Sequence, residues 1–225
     1  MHIEPGLVSP EKIILSYATA TGALGYLATI YWQEMNIRGA LSLALRSLVT
    51  TLLVFGCFEV LPHHAIGVSE VHLILGSTLF LIFGAAATGI GLVFGLLVQG
   101  FLFAPFDLPQ FGMNVTTLLV PLFAMSLLAR KVIHKQTAYV DLTFNQAFKL
   151  SVSYQGGIVI WVAFWALYGQ GMGAENMQSI ASFGLAYMSV ILIEPFIDLG
   201  ILAIAKFANA NKHSLFITQR LYNEV

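Results

Sequence analysis

Stretches of about twenty mostly apolar residues recur along the whole chain, and they limit its fold more than any other feature. Residues 12–32 (KIILSYATATGALGYLATIYW) form the first stretch and residues 39–61 form the second. A helix needs about 20 such residues to cross the hydrocarbon core of a bilayer. Only 9% of the 225 residues are charged, whereas soluble domains carry about 25%. The pattern predicts an all-α, polytopic membrane helix bundle.

Further hydrophobic segments bring the predicted number of helices to about seven. The segment at 72–84 is short for a span, at about 20 Å of helix. The Gly84-Ala85-Ala86-Ala87 stretch that follows it is a candidate for a break or bend in the chain. The other predicted segments are residues 87–104, 114–133, 150–169 and 177–207.

The distribution of Lys and Arg predicts how the bundle is oriented, because basic loops favour the cytoplasmic side. Four stretches contain neither residue, and all four fall on one side of the membrane if residues 72–84 and 87–104 form a hairpin. We therefore expect the N-terminus outside and the C-terminus in the cytoplasm. The basic-free stretches are residues 1–11, 62–71, 105–113 and 170–176.

No polar stretch is long enough to fold alone, so we expect one integral membrane domain over residues 1–225. Its parts would be an outer N-terminal metal-binding strand, the helix bundle and a cytoplasmic tail. Their expected bounds are residues 1–11, 12–207 and 208–225.

Composition excludes several classes of function. The formal net charge of −1 gives no electrostatic case for binding nucleic acid. The single cysteine, Cys57, cannot build a disulfide framework or a thiolate metal site. No P-loop, H-E-x-x-H or G-x-S-x-G motif occurs. We expect neither an enzyme nor an organic cofactor, and any ATP hydrolysis would belong to partner subunits.

Histidines collect on the side predicted to be outside. His2, His63, His64 and His72 all lie there, together with the acidic Glu4, Glu70 and Asp107. Imidazole is a good ligand for Ni, Co, Cu and Zn ions. For His63 and His64 the alternative is an ordinary interfacial position without a ligand role. The two remaining histidines, His134 and His213, fall in predicted cytoplasmic regions and are expected to be solvated.

The opening MHIEPGLVSP places His2 beside the expected α-amine of Met1, and it does not read as a cleaved signal peptide. The amine, the following amide nitrogen and the His2 imidazole can close adjoining chelate rings on one metal ion. One further imidazole would complete a plane of four nitrogens. Such tetragonal coordination favours Ni(II) or Cu(II), and Co(II) is compatible with it.

Three ionisable residues fall inside hydrophobic segments, where such residues are costly and become candidates for function. Glu194 and Asp198 are four residues apart and therefore share one helical face. They are expected to pair with Arg46 or with each other through a shared proton. A structural ion pair and a path for protons or cations both remain open.

Several segments together resemble the CbiM/NikM family, the substrate-binding membrane components of cobalt and nickel energy-coupling-factor transporters. They are the opening MHIEPGLVSP, the continuation SYATATGALGY, the stretch SEVHLILGSTLFLIFGAAATGIGLVFGLLVQGFLF, FGMN at 111–114, and VILIEPF near the end. The chain departs from the family pattern in the order Glu4-Pro5 and in Thr117-Leu118 after the FGMN segment.

The resemblance implies a Ni(II) or Co(II) site ligated by Met1, His2 and His72, with Ser69 and Asn114 orienting the ligands. The ion would be the transported substrate of an uptake system in a prokaryotic inner or plasma membrane. The implied partners are a transmembrane coupling protein, cytoplasmic ATPases and a small accessory membrane protein.

Two other functions compete with transport. One is a membrane-embedded metalloenzyme that uses His63, His64 and His72, with Glu70, around an open metal position. The other is a sensor or assembly subunit that binds the ion without passing it on.

Overall fold

The computed structural model describes residues 3–134 and 136–210, apart from the side chains of Ala208 and Asn209. Its described part contains six α-helices and one two-stranded antiparallel sheet. The helices are α1 (Ile14–Arg38), α2 (Ala40–Glu59), α3 (Gly76–Leu102), α4 (Phe111–Val132), α5 (Phe144–Gln170) and α6 (Ala174–Ala210). The strands are β1 (His64–Ile66) and β2 (Ser69–Val71), and short 3-10 helices cover Pro105–Gln110 and Tyr139–Asp141.

Five of the helical segments are long and apolar enough to cross a membrane. This result confirms the predicted all-α membrane bundle. The helix α1 is 25 residues long but is not among them, because its sequence is less apolar. The spans are Ala40–Glu59, Gly76–Leu102, Pro105–Val132, Phe144–Gln170 and Ala174–Phe207.

Gly84 interrupts α3 with a non-helical conformation, φ 84° and ψ 165°, which glycine adopts at low cost because it has no Cβ. The chain lies near Phe58 both just before α3 and close to the end of α3, since the His72 ring contacts Phe58 and Gln99 reaches its carbonyl oxygen. The middle lies near Arg46, which donates to the carbonyl of Phe83 at 2.8 Å. The chain therefore reverses direction at Gly84. The predicted segments 72–84 and 87–104 thus correspond to the two arms of α3 on either side of Gly84, which count as one interrupted helix among the six of the described part or as two separate helices among seven.

The four basic-free stretches meet at one end of the bundle. The Glu4 N–H donates to the carbonyl of Val68 at 3.2 Å, which joins the N-terminal segment to the hairpin. Lys12 Nζ donates to the Gly169 carbonyl at 3.1 Å, and the Tyr17 hydroxyl donates to the Pro109 carbonyl at 2.8 Å. We call this end the hairpin end. The opposite end carries Gly84 and the loop that follows α4.

The interior of the bundle is apolar, and α4 and α5 both contribute buried faces to it. On α5 the fully buried residues recur every three or four positions, which is the spacing of one helical face. They are Tyr154, Ile158, Val162 and Trp165. On α4, the side chains without exposed surface include Leu118, Leu122 and Met125. This packing supports the polar groups gathered at the hairpin end.

Candidate metal centre

The N-terminal segment is anchored inside the bundle at Ile3, which has no exposed surface. Its N–H donates to Oδ1 of Asn114, at 2.8 Å, near the start of α4. It also forms an isolated antiparallel bridge with Ser69 of β2. Both partners are buried. Met1 and His2, the two predicted ligands that precede Ile3, lie outside the described residues.

The short β-hairpin brings His72 to this anchor. In the hairpin His64 pairs with Val71 and Ile66 pairs with Ser69. The turn holds Gly67 at φ 65°, so close to the Ser179 carbonyl of α6 that a Cβ would overlap that oxygen. The hairpin is therefore pressed against α6 while its second strand pairs with Ile3. His72 follows β2 directly and is 1% exposed.

His72 is held in one orientation by three neighbours. Its Nε2 lies 2.8 Å from Oε2 of Glu70. The ring of His63 stacks on the His72 ring with centroids 4.9 Å apart and planes 13° apart. The Phe58 ring meets the His72 ring edge-on, with centroids 5.5 Å apart. A carboxylate on Nε2 favours the tautomer with its hydrogen there, which leaves a lone pair on Nδ1.

The other hairpin histidines are placed differently from one another. His63 has its Nδ1 3.2 Å from the carbonyl of Leu61 and stacks on His72. His64 is exposed and lies on the border of an apolar groove against α6. Within residues 3–134 and 136–210, no three His, Cys, Asp or Glu side chains are grouped as a metal site. The described residues thus do not assemble the cluster that the metalloenzyme alternative requires.

Acidic groups surround the entrance to this site. Burial raises the pKa of the Glu4 carboxyl, and the nearby negative charges of Glu70 and Asp107 raise it further. A further carboxylate belongs to Glu59, whose Oε2 lies 3.4 Å from Nε2 of Gln99. The electrostatic effect of these carboxylates favours a cation over an anion at the hairpin end.

Two features of the site were missed by sequence reasoning. The sequence groups Glu70 with His72 in the metalloenzyme alternative, but it does not predict the direct contact between the Glu70 carboxylate and Nε2 of His72. Alternate residues of an extended strand lie on the same side, and this spacing was the signal for the pair. The contact of Phe58 with His72 had no signal, because it joins two segments that are distant in sequence.

The membrane-embedded charges pair differently from the expectation. Arg46 Nη2 lies 3.2 Å from Oε1 of Glu34, which also pairs with Arg38 at 3.0 Å. Its partners are therefore at the opposite end of the bundle, and the expected pairing with Glu194 or Asp198 is wrong. His134 also lies at that end, beside Arg130 in a cavity of about 350 Å³. His213 lies beyond the residues that the structure describes.

Glu194 and Asp198 instead bind the start of α3. The Glu194 carboxylate accepts the N–H groups of Ile74 and Leu75, and Asp198 accepts the hydroxyls of Ser77 and Thr78. Negatively charged groups stabilise a helix N-terminus, where backbone N–H groups lack helical partners. Both acids therefore have a structural explanation of their own.

Comparison with known proteins supplies independent findings. The model of the CbiM family, described as the cobalt uptake substrate-specific transmembrane region, matches residues 2–211. A solved structure described as a truncated transition metal transporter has a TM-score of 0.66 and 16% identity, covering 94% of this chain and 99% of its own.

A second structure, described as a transition metal transporter, has a TM-score of 0.64 and 17% identity. It covers 99% of this chain and 100% of its own. At these identities the two structures show that the fold is shared. No curated protein sequence matches the chain.

Proposed function

The chain belongs to the CbiM family, and from this premise we propose that it is the membrane subunit that binds Ni²⁺ or Co²⁺ for uptake into the cell. The ion is the transported substrate, and no organic cofactor takes part. The family description as a cobalt uptake region supports the proposal. The shared fold with transition metal transporter structures supports it as well.

The proposed ligands are the Met1 amine, the His2 amide nitrogen, the His2 imidazole and the imidazole of His72. The main observation that supports these ligands is the buried, hydrogen-bonded position of Ile3. Its nitrogen, which is covalently bonded to His2, is buried and donates to Asn114. Ile3 also bridges Ser69, three residues before His72. The anchored Ile3 thus lies beside the strand that His72, the fourth proposed ligand, directly follows.

Glu70 and His63 complete this site without binding the ion. By accepting the hydrogen on Nε2, Glu70 directs the lone pair of Nδ1 toward the metal and makes the imidazole a better ligand. His63 stacks on the ring and limits its rotation. The amine and imidazoles must be deprotonated to bind, so we expect the affinity to fall in acid.

A rigid plane of nitrogens explains the choice of metal. Ni(II) accepts tetragonal nitrogen ligation, and Co(II) is compatible with it, whereas Zn(II) is almost always tetrahedral in closed sites. Ser69 and Asn114 hold Ile3, the residue that directly follows the two proposed backbone ligands in the chain. Selectivity against zinc then comes from the geometry of the chain end.

The energy for uptake is proposed to come from ATP hydrolysis on partner subunits, because this chain has no P-loop. The partners would be a transmembrane coupling protein, cytoplasmic ATPases and a small accessory membrane protein. The hairpin end would face the outside of a prokaryotic inner or plasma membrane. The opposite end, with Arg38, Arg130 and Lys131, would face the cytoplasm.

One experiment tests the proposed chelate. Ni(II) and Co(II) binding is measured by calorimetry for the native chain and for a variant with one residue added before Met1. We expect tight one-to-one binding that the extension abolishes, because it converts the amine into an amide. The matched control is His64→Ala, since His64 is an exposed histidine of the same hairpin and should not affect binding.

Undiminished affinity in the extended variant would contradict the chelate. Equal losses from His64→Ala and His72→Ala would indicate non-specific binding to imidazoles and would reject the proposed ligand set.

A further inference from the structure

The turn between His72 and α3 contains an unfavourable backbone conformation. Leu75 has φ 54° and ψ 31°, and it is the one non-glycine residue with positive φ in the described part of the chain. Residues with a Cβ avoid this left-handed region because the Cβ crowds the following carbonyl. Such a conformation persists only where neighbouring groups enforce it, and it often marks a functional position.

A single side chain of α6 enforces this turn. Oε1 of Glu194 accepts the N–H of Leu75 at 2.8 Å and also the N–H of Ile74. Glu194 and Ile74 have no exposed surface, so water cannot replace the carboxylate at these amides. The turn three residues after His72 therefore depends on the position of Glu194.

Asp198, the neighbouring acidic residue of α6, binds a different part of α3. Asp198 lies one turn further along α6 and binds the hydroxyls of Ser77 and Thr78, inside the first turn of α3. It stabilises the helix but does not contact the turn. Two buried carboxylates of similar surroundings thus differ in one respect, namely whether they hold the segment that carries His72.

The helix that carries Glu194 is weakened next to it. Pro195 follows directly, within α6. Proline has no N–H, so the helix loses one hydrogen bond at this point, and helices bend most often at proline. A bend of α6 here would move the Glu194 carboxylate relative to Ile74 and Leu75.

We propose that Glu194 is a positioning residue for His72, and that displacement of α6 at Pro195 withdraws it and loosens the metal site. The inference rests on the proposed function, because it requires His72 to be a ligand. It links the ion to the last helix of the bundle, and so gives a route by which movement of α6 would release the ion. It also differs from a role for Glu194 in a proton or cation path, which would depend on the charge of this residue.

The test compares the length and the charge of this side chain. Glu194→Asp keeps the charge but retracts the acceptor from both amides, whereas Glu194→Gln keeps an acceptor oxygen in place and removes the charge. The dissociation rate of Ni(II) and its visible absorption spectrum are measured for both variants in the purified full chain. Asp198→Asn is the matched control.

We expect Ni(II) to dissociate from Glu194→Asp roughly ten-fold faster than from Glu194→Gln, with an altered spectrum, as for about 1.4 kcal/mol of lost binding. Asp198→Asn should lower thermal stability and leave the dissociation rate within about two-fold of wild type. Equal dissociation rates for the two Glu194 variants, or a faster rate for Glu194→Gln, would overturn the proposal. A faster rate for Glu194→Gln would instead favour a role of the Glu194 charge in a proton or cation path.

Failure of this inference is distinguishable from failure of the proposed function. If the unaltered chain does not bind Ni(II) or Co(II), the proposed function is wrong. If the unaltered chain binds either ion and the Glu194 variants follow the overturning pattern, only the role of Glu194 is wrong.

Discussion

The backbone N–H of Ile3 donates to Oδ1 of Asn114 at 2.8 Å, although 111 residues separate the two in the chain. This bond joins the N-terminal segment to the first turn of α4. Both residues are almost fully buried, so neither group can exchange its partner for water. The proposed metal ligands directly precede this anchor, which makes the bond a test of how the site is held.

We predict that Asn114→Ala weakens Ni(II) or Co(II) binding about ten-fold, since an unsatisfied buried amide costs roughly 1–3 kcal/mol. Asn114→Asp keeps an oxygen acceptor and should retain most of the affinity. Calorimetry on the purified variants measures both. Thr117→Val is a suitable control, because Thr117 is buried in the same helix and its hydroxyl donates to the carbonyl of Met113. Affinity unchanged by Asn114→Ala would show that the anchor is dispensable.

The contact of Glu70 with His72 gives a second prediction. Removing an outer partner of a metal-binding histidine typically costs about 10–100-fold in affinity. We expect a loss of this size for Glu70→Ala and a smaller one for Glu70→Gln, which keeps an acceptor near Nε2. The measurement is a titration followed by the visible absorption of the bound ion.

Glu175→Ala controls for the loss of negative charge, because Glu175 is an exposed acid at the start of α6, near the same end. If this variant loses as much affinity as Glu70→Ala, general attraction of the cation explains the effect. The orienting role of Glu70 would then be wrong.

From the raised pKa of Glu4 we expect the stability of the fold to depend on pH. Its pKa is raised in the folded chain, by burial first and then by Glu70 and Asp107, so the folded state binds a proton that the unfolded state has lost. Stability should therefore fall as pH rises from the ordinary glutamate value of 4.5 through the raised value. Glu4→Gln should melt at a higher temperature than wild type at neutral pH.

The difference in melting temperature between Glu4→Gln and wild type should vanish below pH 4.5, where both side chains are neutral. Thermal unfolding is measured without metal, because a bound cation would offset the repulsion. A melting-temperature difference that grows toward acid would contradict the assignment.

We expect substitution of Arg46 to change the stability of the bundle without changing metal binding. It pairs with Glu34 at 3.2 Å and donates to the carbonyl of Phe83, just before the break in α3. Arg46→Met should destabilise the bundle by roughly 1 kcal/mol, because it leaves the partly buried Glu34 carboxylate and Phe83 carbonyl without this donor. Denaturant unfolding and calorimetry measure the two effects separately.

Arg38→Ala is the matched control for Arg46, since it contacts the same Glu34 but is 64% exposed. Exposed ion pairs contribute about 0–1 kcal/mol, so we expect a small effect on stability. Loss of metal affinity in Arg46→Met would contradict this prediction and would show that Arg46 contributes to metal binding.

The class of the fold and the end at which polar residues collect can both be predicted from the amino-acid sequence. Apolar runs of span length predict membrane helices, because the bilayer leaves backbone groups no other partners. The interruption at Gly84 was also visible, since glycine alone tolerates such a conformation at low cost. These signals depend on residues that are close together in the chain, so they can be read from the sequence.

The pairing of the polar groups, in contrast, follows from how the helices pack. The tertiary structure joined Ile3 to Asn114 and paired Arg46 with Glu34, and it directed Glu194 to the turn that follows His72. Periodicity places a residue on a face of its own helix but does not say which other helix packs against that face. In an apolar interior each buried polar group must find a partner, and the packing of the helices determines which partner is within reach.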